Sequence, residues 1–499
     1  MKCVPLFLFL LICILTFTAI HVLYRRSYKR PGTVNINKFV ENINDLGFGP
    51  NKNLIIFEFD VSTIDETDKS FMKMNWSSTT GSGSHTAGIE VKGSTDRDKL
   101  NYAFEIWAPE DSSIPCTSIE TCEDDKAEIF DFGEDYEDYV LRGGFREPIL
   151  FRDAVASQLK GGILEHTLVE VVFFHNNKYF YEGVYLLYPA IQRRFLEKKL
   201  DWESKGKKTD CDENPSVTDL EETALIAEYT NPTDGRRKNC EWIENIKMRY
   251  PKCDIGTCYH EYITSVVSVI TWSNTSFVPL DITSFIYTFF AEQLLMGADF
   301  PTASQYFYKN PDGIVFSGPR WDYDYEQWRI MDSKTWDVNT WSYKPTKPAK
   351  LWEILGEDSS FIELLNLHRG NVTQHNMKVS FNLLNERYDQ YSLGYFDRNT
   401  KRWNKFGTQF NGYRLMWMGS TWKNEIEFIN ETIIKRSNWM MNNKIENFSF
   451  GNYISWIYLG YIFVYPPSII LIVVIIWFCV IQCVYKDTAT KKKIKYTQV

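Results

Sequence analysis

Residues 299–325 read DFPTASQYFYKNPDGIVFSGPRWDYDY. The stretch YFYKNPDGIVFSG has the pattern of a strand, a turn and a second strand. Two carboxylates follow it, Asp322 and Asp324, set two apart among large aromatics. Burying a carboxylate is costly unless something pairs with it, and a metal ion would do so. Positions i and i+2 of a strand share a face, so an extended RWDYD aims Asp322 and Asp324 at one hard cation, as magnesium sites require. A capped turn with one solvated acid is the alternative reading of a lone D-x-D.

Working back from this segment, LDITSFIYTFFAEQLLMGAD (280–299) predicts a nearly all-apolar helix that starts at Asp281 as N-cap and delivers Asp299 at its end. It is too short for a membrane span and carries Glu292 and Gln293, which argues for burial in a core. Residues 51–190 are strand-rich. NLIIFEFDVS, TAGIEVKG and NYAFEIWA are short β-branched or aromatic runs, and LVEVVFFHNNKYFYEGVYLLY (168–188) predicts a hairpin turning at Asn176-Asn177. ILFRDAVASQLKGG between them has helical spacing and a glycine stop. Beyond the 303–325 hairpin, helical spacing returns at 349–368, 377–392 and 422–448. The expected fold is α+β, a strand-rich lobe followed by a helical lobe.

The formal net charge of −9 excludes a general nucleic-acid binder, which would show a basic excess. The acidic stretch 123–139 holds nine acids and one lysine. It lacks the loop spacing of a calcium site and is expected to be solvated. Residues 4–22 and 468–485 are apolar runs long enough to cross a bilayer. The expected division is a signal anchor or signal peptide at 1–30, a body at 31–450, a membrane region at 451–485 and a basic tail at 486–499. The lysines after the last span place that tail in the cytosol and the body on the lumenal or outer side. Arg25, Arg26, Lys29 and Arg30 favour the opposite, a cytosolic body. Six of the ten cysteines fall in the body, with close pairs at 116/122 and 253/258, as disulfides in an oxidising compartment would require. Sequons at Asn75, Asn274, Asn371, Asn430 and Asn447 permit a lumenal glycoprotein. Residues 200–260, polar and cysteine-containing, are expected to be an insertion.

Six segments in order resemble the CotH kinase family, named for a bacterial spore-coat protein and an atypical branch of the protein-kinase-like fold. IEVKGSTDRDKLNYAFEI resembles its first strand pair, with Lys92-Gly93 and Lys99 aligned. YVLRGGFREPILFRDAVASQL resembles the segment ending R-[ND], with Arg152 and Asp153 matching. HNNKYFYEGVYLL resembles its N-G-x-Y-x-G-x-Y-x-L hairpin. LDITSFIYTFFAEQLLMGAD resembles its D-x(2)-S-F … N-x-D helix, and GPRWDYD its P-W-D-x-D. FINETIIKRSNWM resembles its last helix, with Arg436 and Trp439.

The resemblance implies a two-lobed atypical protein-kinase-like fold that binds ATP with Mg2+ or Mn2+. It implies Asp299 as the catalytic acid, Asp322 and Asp324 as metal ligands, and Lys99, with Lys92 second, on the nucleotide phosphates. Its implied partners are ATP and a secreted or membrane protein substrate. Several positions depart from the family pattern. Ser304 and Gln305 stand where the family has asparagine, with Gln305 the candidate metal ligand. Lys92 replaces an arginine, Pro189 stands where glutamate is common, and Arg320 interrupts P-W-D. The rival implication is a non-enzymatic surface or coat protein of the same fold, an adhesin or structural component.

Overall fold

The computed structural model describes residues 39–48, 53–58, 69–92, 101–111, 113–144, 147–192, 195, 197, 225–229, 242–243, 246–250, 279–297, 300–301, 304–310, 312–323, 339–341, 350–392, 394–403, 406, 408–411, 414–417 and 419–446. All belong to one compact unit, residues 31–450. Both apolar terminal runs lie outside the described residues. Among the described residues no helix is long and apolar enough to cross a membrane.

The expected mixture of strands and helices is present. The first part of the chain supplies β1 (Phe39–Val40), β2 (Leu54–Glu58), β3 (Ser70–Ser77), β4 (Ser82–Lys92), β5 (Asn101–Pro109), β6 (Cys122–Asp124), β7 (Asp138–Gly143), β8 (Thr167–His175) and β9 (Lys178–Pro189). β9 pairs with β7 on one side and with β8 on the other. The order β9-β7-β5-β4-β3-β2-β8 therefore closes on itself, with β1 and β6 appended. Leu187 shows the closure in one residue, opposite Leu141 in one ladder and Thr167 in the other. Alternation along the strands sorts the side chains. Val169, Val171 and Phe173 face an interior filled by Phe57, Phe104 and Tyr185, whereas Leu168, Val184, Leu186 and Tyr188 pack against the helices.

The predicted β8–β9 turn forms where expected, with Asn176 (φ 49°) and Asn177 (φ 59°) both left-handed. The acids of 123–139 are exposed or half-buried. The apolar residues among them, Ala127, Ile129, Phe130, Phe132, Tyr136 and Tyr139, fill the ring interior. Cys116 and Cys122 form a disulfide with Cα atoms 4.9 Å apart. The other four body cysteines lie outside the described residues. Residues 225–250, inside the expected insertion, contribute β10 (Leu225–Tyr229), β11 (Trp242–Ile243) and β12 (Ile246–Tyr250). These join the predicted hairpin, β13 (Gln305–Lys309) and β14 (Val315–Arg320), in the order β11-β12-β10-β13-β14.

The helices are α1 (Arg152–Gln158), α2 (Ile282–Leu295), α3 (Lys350–Glu357), α4 (Ser359–Ser392), α5 (Tyr395–Trp403) and α6 (Trp422–Asn442), with a small hairpin of β15 (Thr408–Asn411) and β16 (Arg414–Trp417) between the last two. Asp281 caps α2 as predicted, its Oδ1 accepting the Ser284 N–H at 2.6 Å. The division after it differs from the sequence reading. Asp358 caps a new start, taking the N–H groups of Ser360 and Phe361 at 2.7 and 3.2 Å. α4 then runs unbroken through Gly370 and joins two segments predicted apart.

Helix α5 was not predicted. It docks on β8 and β9 through polar residues at helical spacing. Arg398 grips Glu170 with two bonds of 2.8 and 2.7 Å. Asn399 Oδ1 accepts the Val184 N–H at 3.0 Å, and Trp403 Nε1 donates to the Glu182 carbonyl at 2.6 Å. A register shift opposite Val171/Val172 leaves Glu182 as the extra residue of a bulge. Its buried carboxylate accepts from Tyr102, Tyr185 and Arg402 at 3.1, 3.0 and 3.3 Å. Gly183 lies beneath the helix with φ 136°, where a Cβ would come within 2.7 Å of Trp403 Nε1.

Candidate active site

Strand β14 ends at Arg320, and Asp322 adopts left-handed backbone with φ 70°. The extended RWDYD expected from the sequence is not present at Asp322, so the same-face rule for strands does not apply there. The reason lies in what holds the carboxylate. Arg142, buried on β7, donates from Nη2 to Asp322 Oδ1 and from Nε to Asp153 Oδ2, the latter at 3.1 Å. Its guanidinium also lies over the Trp321 ring, 5.3 Å from the centroid. Ser304 Oγ donates to Asp322 Oδ2 at 3.2 Å, and Ser304 is itself left-handed with φ 57°. A non-glycine residue at positive φ costs energy and persists where its surroundings enforce it, commonly at functional sites.

The segment after Asp322 is held by α1. Asp153 Oδ1 accepts the Tyr323 N–H at 2.6 Å, and Arg152 Nε donates to the Tyr323 carbonyl at 2.9 Å. The R-[ND] and D-x-D segments, far apart in sequence, thus meet on one residue, Tyr323. Helix α1 is fixed at both ends. Glu147 accepts the N–H groups of Phe151 and Arg152 at 2.9 and 3.0 Å. Burial pushes the Glu147 carboxyl up to about 7, although the Arg152 guanidinium and those N–H groups oppose the rise. At the other end Arg320 Nη1 donates to the Ala156 and Leu159 carbonyls, both at 3.1 Å, and Nη2 to Lys160 O at 2.6 Å. The residue that interrupts P-W-D is therefore the C-terminal cap of α1.

The remaining candidates are placed differently. Gln305 is buried at the start of β13, and its amide Nε2 donates to Glu292 Oε1 at 3.0 Å. Ser304, rather than Gln305, bonds to Asp322. Lys92 ends β4 and pairs with Glu90 of its own strand at 2.5 Å. Asp299, Asp324 and Lys99 lie outside the described residues. Sequence reasoning missed Arg142, Ser304 as a partner of Asp322, and the capping role of Arg320. Arg142 carried one signal, an arginine embedded in the apolar-glycine run YVLRGG.

The donor chemistry suits a hard cation. Asp322 is partly exposed (30%), and its carboxylate is joined by the Ser304 hydroxyl oxygen. Magnesium takes one or two protein carboxylates and completes its shell with phosphate and water oxygens. Among the described residues no group of three His, Cys, Asp or Glu side chains converges on one point.

No curated protein matches the chain. The family described as CotH kinase protein matches residues 89–440, from within β4 to the last turn of α6. The matched region covers most of the chain and includes the Arg142–Asp153–Asp322 cluster, so the chain belongs to the CotH kinase family.

Proposed function

We propose that this protein is a membrane-anchored atypical kinase that transfers the γ-phosphate of ATP to Ser or Thr of secreted or membrane proteins. The strand ring and the helices would form its two lobes. The observation that carries the reading is the presentation of Asp322. A partly exposed carboxylate is held in left-handed backbone by a buried arginine and a serine hydroxyl, at the end of a hairpin in a kinase-family chain. Bound ATP would supply the phosphoryl group, and Mg2+ or Mn2+ would neutralise the charge that develops on it. Asp322 would hold the metal through a carboxylate whose direction Arg142 and Ser304 set, with Asp324 the second ligand. Ser304 takes the place first given to Gln305. Asp299 orients the acceptor hydroxyl and takes its proton. Lys99 holds the phosphates, and Lys92 is the second candidate. No covalent intermediate is needed, because positioning and charge neutralisation supply the catalysis.

The lumenal placement of the body is part of the same proposal. The Cys116–Cys122 disulfide supports an oxidising compartment. The sequon residues Asn75, Asn371 and Asn430 are all exposed, and a mobility shift on glycosidase treatment tests the topology. The kinase test compares the whole chain with Asp322→Ala. Wild type should gain thermal stability with Mg·ATP and incorporate phosphate, and the variant should do neither. A second reading, a catalytically inactive surface or coat protein, is favoured by Gln305 being tied to Glu292. Wild type that shows neither nucleotide response nor phosphate incorporation decides for that reading.

A further inference from the structure

We infer that Glu292 is the positioning residue that fixes the end of α2, which leads to Asp299, against the strand end that carries Asp322. The inference rests on the kinase reading of this site. Glu292 lies in the last turn of α2 and is 2% exposed. Its Oε1 accepts the Tyr323 phenol at 2.6 Å and the Gln305 amide at 3.0 Å. Its Oε2 faces Gly297, where a Cβ would come within 2.5 Å. One carboxylate therefore meets three segments: the exit of α2 two residues before Asp299, the start of β13 beside Ser304, and the residue between Asp322 and Asp324.

The chemistry makes this contact stiff. Tyr323 is buried, and its phenol donates to the buried Glu292 carboxylate at 2.6 Å, a charge-assisted bond shielded from water. Its main chain is already held by Asp153 and Arg152. The phenol thus extends the same fixed peptide to α2. Met296, the C-cap of α2, is left-handed with φ 51°, and the absence of a Cβ at Gly297 lets the chain pass close against the carboxylate. Glu292 is not placed to touch substrate. It acts through Tyr323 and through the chain that leaves α2.

The test uses the whole chain and two readouts, Mn2+ affinity in the presence of ATP by electron paramagnetic resonance and the split between kcat and KM. Tyr323→Phe removes one hydroxyl and keeps the ring. Glu292→Met removes the acceptor, and Glu292→Gln keeps an oxygen for the phenol. Tyr323→Phe and Glu292→Met should each weaken Mn2+ binding about tenfold and lower kcat more than they raise the KM for the acceptor. The double variant should be no weaker than Glu292→Met alone, and Glu292→Gln should recover most of the loss. Tyr323→Phe decides alone if Glu292→Met does not fold. Variants that bind Mn2+ within about twofold of wild type, whatever their melting temperature, overturn the positioning role and leave the kinase reading intact. A wild type that binds no Mn2+ with ATP overturns the kinase reading, and the positioning role falls with it.

Discussion

Ser304 donates from Oγ to Asp322 at 3.2 Å, and both residues hold left-handed backbone. The two ends of the β13–β14 hairpin are thereby pinned to each other, and a hydroxyl rather than an amide stands beside the carboxylate. Ser304→Ala and Ser304→Gly should each weaken Mn2+·ATP binding about tenfold by titration calorimetry. Glycine adopts positive φ without a steric cost, so the glycine variant should melt higher than the alanine variant. Equal melting with unchanged affinity would show that the hydroxyl contributes nothing.

Arg142 bridges Asp153 and Asp322, and its side chain is 8% exposed. Its removal leaves the buried Asp153 carboxylate without its guanidinium partner. Arg142→Met should cost about 3 kcal/mol in urea unfolding. Arg142→Lys should recover little of this, since one ammonium does not reproduce the fork that spans two carboxylates. Full recovery by lysine would contradict the bridge.

Glu147 gives the fold a pH dependence of defined sign. Burial raises its carboxyl from the ordinary 4.5 to about 7. A carboxyl raised on folding contributes stability that is fully present below its unfolded value and is lost as pH rises through its folded one. Relative to Glu147→Gln, wild type should therefore lose on the order of 3 kcal/mol between about pH 4.5 and pH 7. Urea melts of both proteins across that window check it, and a wild type that gains stability relative to Glu147→Gln as pH rises contradicts the assignment.

Gly183 tests the docking of α5. A side chain there meets Trp403 and Asn399 and adds a strained φ of 136°. Gly183→Ala should destabilise by about 2 kcal/mol or more. The tryptophan fluorescence change of Trp403→Phe should report whether that helix has lifted from β9.

Much of this architecture was legible in local pattern. The Asn176-Asn177 turn, the Asp281 cap and the β13–β14 hairpin each follow from a few adjacent residues whose chemistry permits one local geometry. Helix α5 was not legible. Its nine residues YFDRNTKRW are mostly polar, with few apolar side chains to mark a buried face, because it docks through Arg398, Asn399, Arg402 and Trp403 on carboxylates and main chain presented by β8 and β9. The site divides in the same way. Asp322 stood out as an acid after a hairpin, whereas its partners Arg142 and Ser304 come from other segments. In the sequence Gln305 reads as the ligand because an amide resembles asparagine. Its backbone places that amide on Glu292 instead.

The closed ring of strands also constrains how the chain comes into being. A parallel ladder joins Leu54–Glu58 to Glu170–Phe174, and the last seam is made by β9. During synthesis β2 to β7 emerge with both flanks open and stay so until Pro189 has left the ribosome. Such long-range closure is slow, and open flanks invite pairing with other nascent chains. Truncation after β7 would leave those flanks permanently exposed, so a functional unit smaller than the whole ring is not available to this sequence.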